Sequence, residues 1–89
     1  MKKVSIVKYY LSGVPLHKRN ALHRDLYGYN DHSNNGEYTY KRNGKLDGIK
    51  YTKIGGSVIM INSADLKPII AVLDKHKVGS TVIHLYKKP

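Results

Sequence analysis

The residues of this sequence best suited to chemistry are its cations, and the chemistry that they suit is phosphate contact. Sixteen lysines and arginines stand against six acidic residues, for a net charge of +10. The first acid along the chain is Asp25, and it is preceded by Lys2, Lys3, Lys8, Lys18, Arg19 and Arg24. Like charges at this density repel one another and oppose folding, whereas a polyanion offsets the repulsion and releases its condensed counterions. The charge predicts a nucleic acid partner; the alternative is surplus lysine that only keeps a small protein soluble.

The first predicted helix, Pro15–Tyr27, carries the densest group of these cations. Lys18 and Arg19 flank a face whose residues recur every three or four positions and so share one side of the helix: His17, Asn20, Arg24 and Tyr27. Cations can contact phosphates, and an amide can contact base edges. An ordinary solvated face is the alternative, but such a face mixes acids with cations, and Asp25 is the only acid here. We expect phosphate contacts from Lys18, Arg19 and Arg24.

A second basic stretch coincides with tyrosines. The strand predicted at Glu37–Arg42 places alternate residues on one side: Tyr38, Tyr40 and Arg42. The chain has eight tyrosines and no phenylalanine or tryptophan, an unusual choice for a core because each buried hydroxyl needs a partner. Tyrosines that face outward could stack on bases for roughly 1–3 kcal/mol each, and tyrosines that face inward would be core residues; the sequence leaves both open. The stacking candidates are Tyr27, Tyr38 and Tyr40, and the further phosphate contacts are Lys41, Arg42 and Lys45.

Between the helix and this strand lies a run of turn-forming residues, Asn30–Gly36. Asn, Asp, Ser and Gly are what any turn uses, which is the simpler interpretation. The position of the loop, between a basic helix and a tyrosine-rich strand, favours a role in binding. Backbone N–H groups and the side chains of Ser33 or Asn34 would then hold a phosphate.

Metal and cofactor sites have little support in the sequence. The chain has no cysteine, which excludes disulfides and thiolate zinc sites, and its five histidines lack the spacing of a zinc site. We therefore expect no metal site and no cofactor, assign no catalytic residue, and favour binding over catalysis.

A small nuclease is the alternative from a different class. Its chemistry would be a general acid–base pair of His23 or His32 with a lysine, or a magnesium ion held by Asp31 and Glu37. Against it, no two carboxylates lie close in sequence, as a two-metal site prefers. The ferredoxin-like CRISPR nucleases place an aspartate at the end of the first strand, and that likeness fails here, where the chain has Tyr9, Tyr10 and Leu11. A third alternative is an accessory subunit that docks on another protein or forms a homodimer through an exposed sheet edge or face.

The elements that must position these residues follow from periodicity and chain breakers. The predicted helices are Pro15–Tyr27, with a buried stripe of Leu22, Leu26 and Tyr29, and a second one capped at Asp65. Asn43-Gly44 predicts a tight turn that joins the second and third strands as a hairpin, and Val58–Ile61 is apolar throughout, as in strands buried on both faces. The predicted strands are Val4–Leu11, Glu37–Arg42, Lys45–Ile54, Val58–Ile61 and Thr81–Tyr86. The order of strand, helix, hairpin or paired strands, helix and strand predicts the ferredoxin-like βαββαβ fold, an α+β fold whose antiparallel sheet carries both helices on one face.

Length and hydropathy set the organisation of the chain. Eighty-nine residues predict one domain, residues 1–89. The longest uninterrupted apolar run is Ile69–Leu73, far short of the roughly 20 residues that span a membrane. The N-terminal residues are basic, as at the start of a signal peptide. Lys8, however, interrupts the apolar stretch that follows, so the segment is interpreted as a strand. We expect a cytoplasmic protein with no membrane partner. The sequence contains no pattern of residues that recognises particular bases, so it does not distinguish RNA from DNA as the ligand.

Overall fold

Six strands and two helices make up the part of the chain that the computed structural model describes, residues 2–33 and 38–87. A short 3₁₀ turn, Ser63–Asp65, leads into the second helix. In chain order the elements are β1 (Lys2–Tyr9), α1 (Leu16–Tyr27), β2 (Tyr29–Ser33), β3 (Tyr38–Arg42), β4 (Tyr51–Gly55), β5 (Val58–Asn62), α2 (Leu66–Lys75) and β6 (Ser80–Lys87). The predicted α+β class is confirmed.

Four of the strands form one antiparallel sheet in the order β4-β5-β1-β6. Its central strands are buried on alternate residues: Val7 and Tyr9 of β1 lie beside Ile59 and Ile61 of β5, and all four are almost fully buried. Period-two alternation of this kind places every second side chain on the same face of a sheet. One face of the sheet therefore forms one side of the hydrophobic core.

Both helices pack on that same face. Leu22 and Leu26 of α1 join the core cluster, as the helical spacing predicted. The second helix contributes Ile69, Val72 and Leu73, spaced as one apolar stripe of an amphipathic helix. No helix of the described chain is long and apolar enough to cross a membrane.

Helix boundaries follow the predicted signals with one exception. Pro15 occupies the N-cap of α1, and Gly28 ends the helix with φ +77°, a conformation that side chains disfavour. Asp65 occupies the N-cap of α2, although its side chain makes no capping hydrogen bond. Tyr29 was predicted in the buried stripe of α1; that prediction is wrong, because Gly28 turns the chain and Tyr29 begins β2.

The predicted hairpin around Asn43-Gly44 is also wrong in its pairing. Strand β3 pairs with β2, in an antiparallel register that runs from Tyr29 opposite Arg42 to Ser33 opposite Tyr38, and β4 pairs with β5 instead. The turn itself lies just after the predicted dipeptide, at residues 45–48, where the Asp47 N–H donates to the Gly44 carbonyl oxygen at 3.1 Å and the Gly44 N–H donates to the Asp47 carboxylate at 2.9 Å. Within this turn the buried side chain of Leu46 anchors the chain to the core before β4 begins.

Candidate nucleic-acid interface

The β2–β3 hairpin is held to the end of α1 by a contact between two glycines. A Cβ on Gly28 would overlap the carbonyl oxygen of Arg42 and lie 2.9 Å from the Gly44 nitrogen, and a Cβ on Gly44 would overlap the Gly28 nitrogen. Two backbone hydrogen bonds continue this contact, from Lys45 N–H to the Asp25 carbonyl oxygen at 2.8 Å and from Leu46 N–H to that of Leu26 at 2.9 Å. The two ends of the hairpin thus meet against the last turn of α1.

This junction brings a helix cation onto an aromatic ring of the hairpin. The Arg24 guanidinium carbon lies 4.7 Å from the centre of the Tyr29 ring. Tyr29 opposes Arg42 in the hairpin register, and Tyr40 opposes Asp31 two residues further along. Because directly opposed side chains share a face, these four hairpin residues and Arg24 form one surface, which we call the Arg24–Tyr40 surface.

Exposure and ion pairing differ along the Arg24–Tyr40 surface. Tyr40 is 54% exposed and Tyr29 39% exposed, so both rings are open to solvent, and Tyr40 is not a core residue. Asp31 accepts a hydrogen bond from the Arg42 guanidinium at 3.2 Å in an exposed ion pair. Arg24 has no acidic partner among the described residues. The surface combines an arginine without an acidic partner, the Tyr29 ring that this arginine covers on one side, and the more exposed ring of Tyr40.

The remaining residues predicted in the hairpin and turn lie in different places around this surface. Lys41 is exposed and lies opposite Asn30, on the other face of the hairpin. Lys45 is exposed just beyond the Gly44 contact. Tyr38 lies in β3 opposite Ser33, and Ser33 is part of β2 rather than of a loop. Asn34 lies outside the described residues, as does Glu37, the partner of Asp31 in the magnesium alternative.

The basic face predicted for α1 divides into separate regions. Lys18 turns toward α2, where it helps to line a depression of about 250 Å³ bounded by His17, Lys18, Ala21, Lys75, His76 and Lys77. Arg19 is half-buried, and its Nε–H donates to the Val14 carbonyl oxygen at 2.7 Å, tying the helix to the preceding loop. Of the three predicted helix contacts, only Arg24 lies beside the hairpin.

The single acid of α1 is engaged with α2. Asp25 lies 2.6 Å from His76 Nε2 and 3.2 Å from Lys75 Nζ. The hydrogen bond from His76, reinforced by Lys75, lowers the pKa of Asp25 below its ordinary value. This carboxylate is directed to the helix pair, so it does not neutralise Arg24.

Tyr27 belongs to an aromatic cluster at the sheet edge. Its ring centre lies 5.9 Å from that of His23 and 6.1 Å from that of Tyr51, and Lys53 Nζ lies 5.2 Å above the ring. Its hydroxyl is buried and makes no hydrogen bond of good geometry in the described chain, but it lies near enough to Tyr9 to contribute, after burial, to the raised pKa of that residue. Tyr27 is therefore packed on several sides, unlike the open rings of Tyr29 and Tyr40.

The same cluster contains two titratable groups whose ionisation is shifted. Tyr9 Oη lies 3.3 Å from His23 Nε2, and burial raises the pKa of Tyr9. Burial and the nearby cation of Lys53 lower the pKa of His23, which keeps the imidazole neutral at pH 7. A neutral imidazole can accept a proton, as the nuclease alternative requires of His23; the side chain of His32, its other candidate, lies outside those that the structure describes. No group of three potential metal ligands occurs within residues 2–33 and 38–87.

Sequence reasoning missed Tyr29, Tyr51 and Lys53. Tyr29 was placed in the helix, although Gly28, the expected helix stop, separates it from α1. Tyr51 and Lys53 are two residues apart in β4, a spacing that puts both on one face of a strand, but which partner they meet depends on how α1 packs over the sheet. Comparison with known proteins adds nothing further, because no family model, curated protein or solved structure matches this chain.

Proposed function

We propose that this protein binds nucleic acid through the Arg24–Tyr40 surface. The observation that carries the proposal is the Arg24 guanidinium 4.7 Å over the centre of the Tyr29 ring, on the same surface as the exposed ring of Tyr40. A cation over one ring and a second ring exposed nearby suit the aromatic-and-arginine pattern of proteins that stack unpaired bases. Lys45, beside the Gly44 contact, and Lys41, on the other face of the same hairpin, are the further candidates for phosphate contact.

Unpaired bases are the ligand that this chemistry favours. Tyrosine faces can stack only on bases whose own faces are free, which a duplex keeps within its stack. Stacking tolerates any base, so the proposed binding has little sequence preference. We infer a single-stranded ligand, with charge supplying the affinity for the backbone.

We further propose that the main sheet and its helices form a ferredoxin-like fold into which the β2–β3 hairpin is inserted. The strand order β4-β5-β1-β6 and the placement of both helices on one face support this proposal. Because Gly28 and Gly44 touch, residues 29–43 can be replaced by a single glycine without stretching the chain. We expect this shortened protein to unfold cooperatively and to bind nucleic acid weakly.

Fluorescence anisotropy with labelled oligouridylate, oligothymidylate and a duplex of the same length tests the function. We expect the single strands to bind more tightly than the duplex and to weaken as salt rises. If Arg24, Lys41 and Lys45 each neutralise one phosphate, the log–log slope with salt is roughly −2 for a single strand. No binding of any probe at low salt would contradict the proposal, and shortening of the RNA probe would favour the nuclease alternative.

Matched variants locate the surface. Tyr40→Ala removes one stacking ring and should weaken binding roughly 5- to 150-fold, while Tyr86→Ala, which removes a ring of similar exposure from β6, should leave it unchanged. Arg24→Ala should reduce the salt slope by about 0.7, and Lys67→Ala, the loss of one exposed cation from α2, should reduce it less. If Tyr40→Ala and Tyr86→Ala weaken binding equally, and Arg24→Ala and Lys67→Ala reduce the salt slope equally, the binding surface lies elsewhere.

A further inference from the structure

The depression between the two helices is lined by five basic side chains and, among the described residues, by no acidic one. It has a volume of about 250 Å³, and we call it the interhelical depression. Helix α1 contributes His17 and Lys18. Helix α2 and the residues after it contribute Lys75, His76 and Lys77. Drug-sized ligands occupy roughly 300–1,000 Å³, so this depression suits a smaller group.

Lys77 has a backbone conformation that lysine seldom adopts. Its φ is +56°, and it is the only residue other than glycine with a positive φ in the described chain. It ends α2 in a Schellman motif, in which its N–H donates to the Asp74 carbonyl oxygen at 3.0 Å and the Val78 N–H donates to that of Leu73 at 2.9 Å. Glycine is the usual residue at this position because it has no Cβ to strain the left-handed conformation. A lysine that is retained despite this strain favours a role for its side chain.

The first turn of α1 places a cation where a helix favours anions. A helix N-terminus carries a partial positive charge, and acidic residues are typical there. This turn has no acidic residue, and no side chain caps its backbone N–H groups. It contains Lys18 instead, whose charge adds to that of the helix end. An external anion would be stabilised by both charges.

The cations of α2 have a simpler explanation in part. Positive side chains at the C-terminal end of a helix stabilise that helix, which accounts for Lys75 and His76. It accounts neither for Lys18, which lies on the other helix, nor for the strained conformation of Lys77. Asp74, the acid of the same turn of α2, lines a separate depression and not this one.

Much of the positive charge is not neutralised within the described chain. Asp25 lies 2.6 Å from His76 Nε2 and 3.2 Å from Lys75 Nζ, so it is directed to these two residues. Lys18 and Lys77 form no ion pair with any acid of residues 2–33 and 38–87. Two cations from different elements therefore border one small depression without a counter-charge.

We propose that the interhelical depression binds a phosphate group. A phosphate offers several charged acceptor oxygens, and lysine ammonium groups are common phosphate ligands. Lys18 and Lys77 would hold the phosphate from the two helices. These residues are separate from the Arg24–Tyr40 surface, so the site stands whether or not that surface binds nucleic acid.

The phosphate has two possible sources, a free phosphate or the backbone of a bound strand. A second depression, of about 740 Å³, shares Lys75 with the interhelical depression and extends to Gly44 and Lys45. Gly44 touches Gly28 at the root of the hairpin, beside the Arg24–Tyr40 surface. A strand bound at that surface would have a path to the interhelical depression. This second source rests on the proposed function, and the first does not.

Titration of the isotopically labelled chain with inorganic phosphate, followed by amide chemical shifts in NMR spectra, tests the site without nucleic acid. We expect saturable shifts in residues 17–21 and 75–78, and no saturable shifts with chloride at the same ionic strength. Lys77→Gly should weaken phosphate binding about fivefold, the factor that one charge pair at about 4 Å in water supplies. The same variant should unfold at a higher urea concentration than the native chain, because glycine relieves the strained φ.

A matched pair of variants tests the contribution of α1. Lys18→Gln should weaken phosphate binding by a similar factor. Lys67→Gln removes one exposed cation from α2 at a different depression, and it should leave phosphate binding unchanged. Both positions are exposed, so both variants should remain folded.

Three results would overturn the site. The first is a response to phosphate that does not saturate or that is spread over the whole chain. The second is a Lys77→Gly variant that resists urea better than the native chain and binds phosphate equally well, which would assign Lys77 to the helix end alone. The third is equal weakening by Lys18→Gln and Lys67→Gln, which would attribute binding to net charge.

Oligothymidylate added to the phosphate-saturated chain distinguishes the two sources. Both results support the site: release of inorganic phosphate identifies the backbone of the strand as the ligand, and retention of phosphate beside a bound strand identifies a free phosphate. If oligothymidylate does not bind and inorganic phosphate does, the proposed function fails and the phosphate site stands.

Discussion

The contact between Gly28 and Gly44 predicts how strongly one methyl group added at Gly28 destabilises the packing of the β2–β3 hairpin against α1. Gly28 has φ +77° and ψ −178°, a region that is almost restricted to glycine, and an alanine there costs about 1–3 kcal/mol in backbone strain alone. Its Cβ would also overlap the carbonyl oxygen of Arg42. The positions of the added Cβ and of the carbonyl oxygen are both fixed by the backbone, so the hairpin must move away from α1. We expect the free energy of unfolding to fall by more than about 3 kcal/mol in total.

Two further glycines separate strain from steric overlap. Gly13 has φ +77° with open space around it, so Gly13→Ala measures the strain of a positive φ without any overlap. Gly44 has no positive φ, and Gly44→Ala measures overlap, here with the Gly28 nitrogen and the Leu26 carbonyl oxygen. We expect Gly28→Ala to be the most destabilising of the three.

Urea unfolding followed by circular dichroism gives the three free energies of unfolding. Oligonucleotide binding by Gly28→Ala should also fall, because displacement of the hairpin separates Arg24 from Tyr29. If Gly28→Ala and Gly13→Ala lose the same stability, the backbone contact does not hold the hairpin and the reasoning is refuted. Intact binding by a destabilised Gly28→Ala would show that the Arg24–Tyr29 stack is dispensable.

Three other predictions concern buried polar groups and are tested by urea unfolding. Tyr27→Phe removes a buried hydroxyl that makes no hydrogen bond of good geometry, so we expect a gain of up to about 1 kcal/mol; a clear loss would reveal a partner for that hydroxyl. Ser5→Ala removes a buried hydroxyl that bonds Ser63 Oγ at 2.7 Å and His84 Nδ1 at 2.8 Å, and should cost about 1 kcal/mol; a neutral result would contradict this. The pKa of His23 is lowered in the folded state. The contribution of its neutral imidazole to the free energy of unfolding is therefore present above pH 6.5 and is lost as the pH falls through the lowered pKa. His23→Gln should flatten that part of the stability–pH profile, and an unchanged profile would assign the acid sensitivity elsewhere.

Local signals predicted most of the elements because they act over a few residues. Pro15 and Gly28 bound α1 as expected, and Leu22 and Leu26 form its buried stripe. These signals depend on backbone conformation and helical spacing, which neighbouring residues determine. The errors arose where a residue had two local interpretations: Tyr29 continues the spacing of α1, but it also follows its stop signal.

Strand pairing could not be predicted in the same way. Asn43-Gly44 is a strong signal for a hairpin turn, yet β3 pairs with the segment before it, which contains turn-forming residues such as Asn30 and Asp31. The choice depends on two non-local contacts, Gly28 against Gly44 and Leu46 in the core. Neither contact leaves a periodic pattern in the sequence.

The sequence by itself determined the charge, the α+β class, the apolar faces and the absence of cysteine, because these follow from composition and short-range periodicity. Tertiary structure alone decided which cations lie together. Lys18, Arg19 and Arg24 are neighbours along one helix, but packing directs Lys18 toward α2, bonds Arg19 to a loop and places Arg24 over Tyr29. Side chains only a few residues apart point in different directions around a helix, and the neighbour that each one meets depends on how distant segments fold back on it.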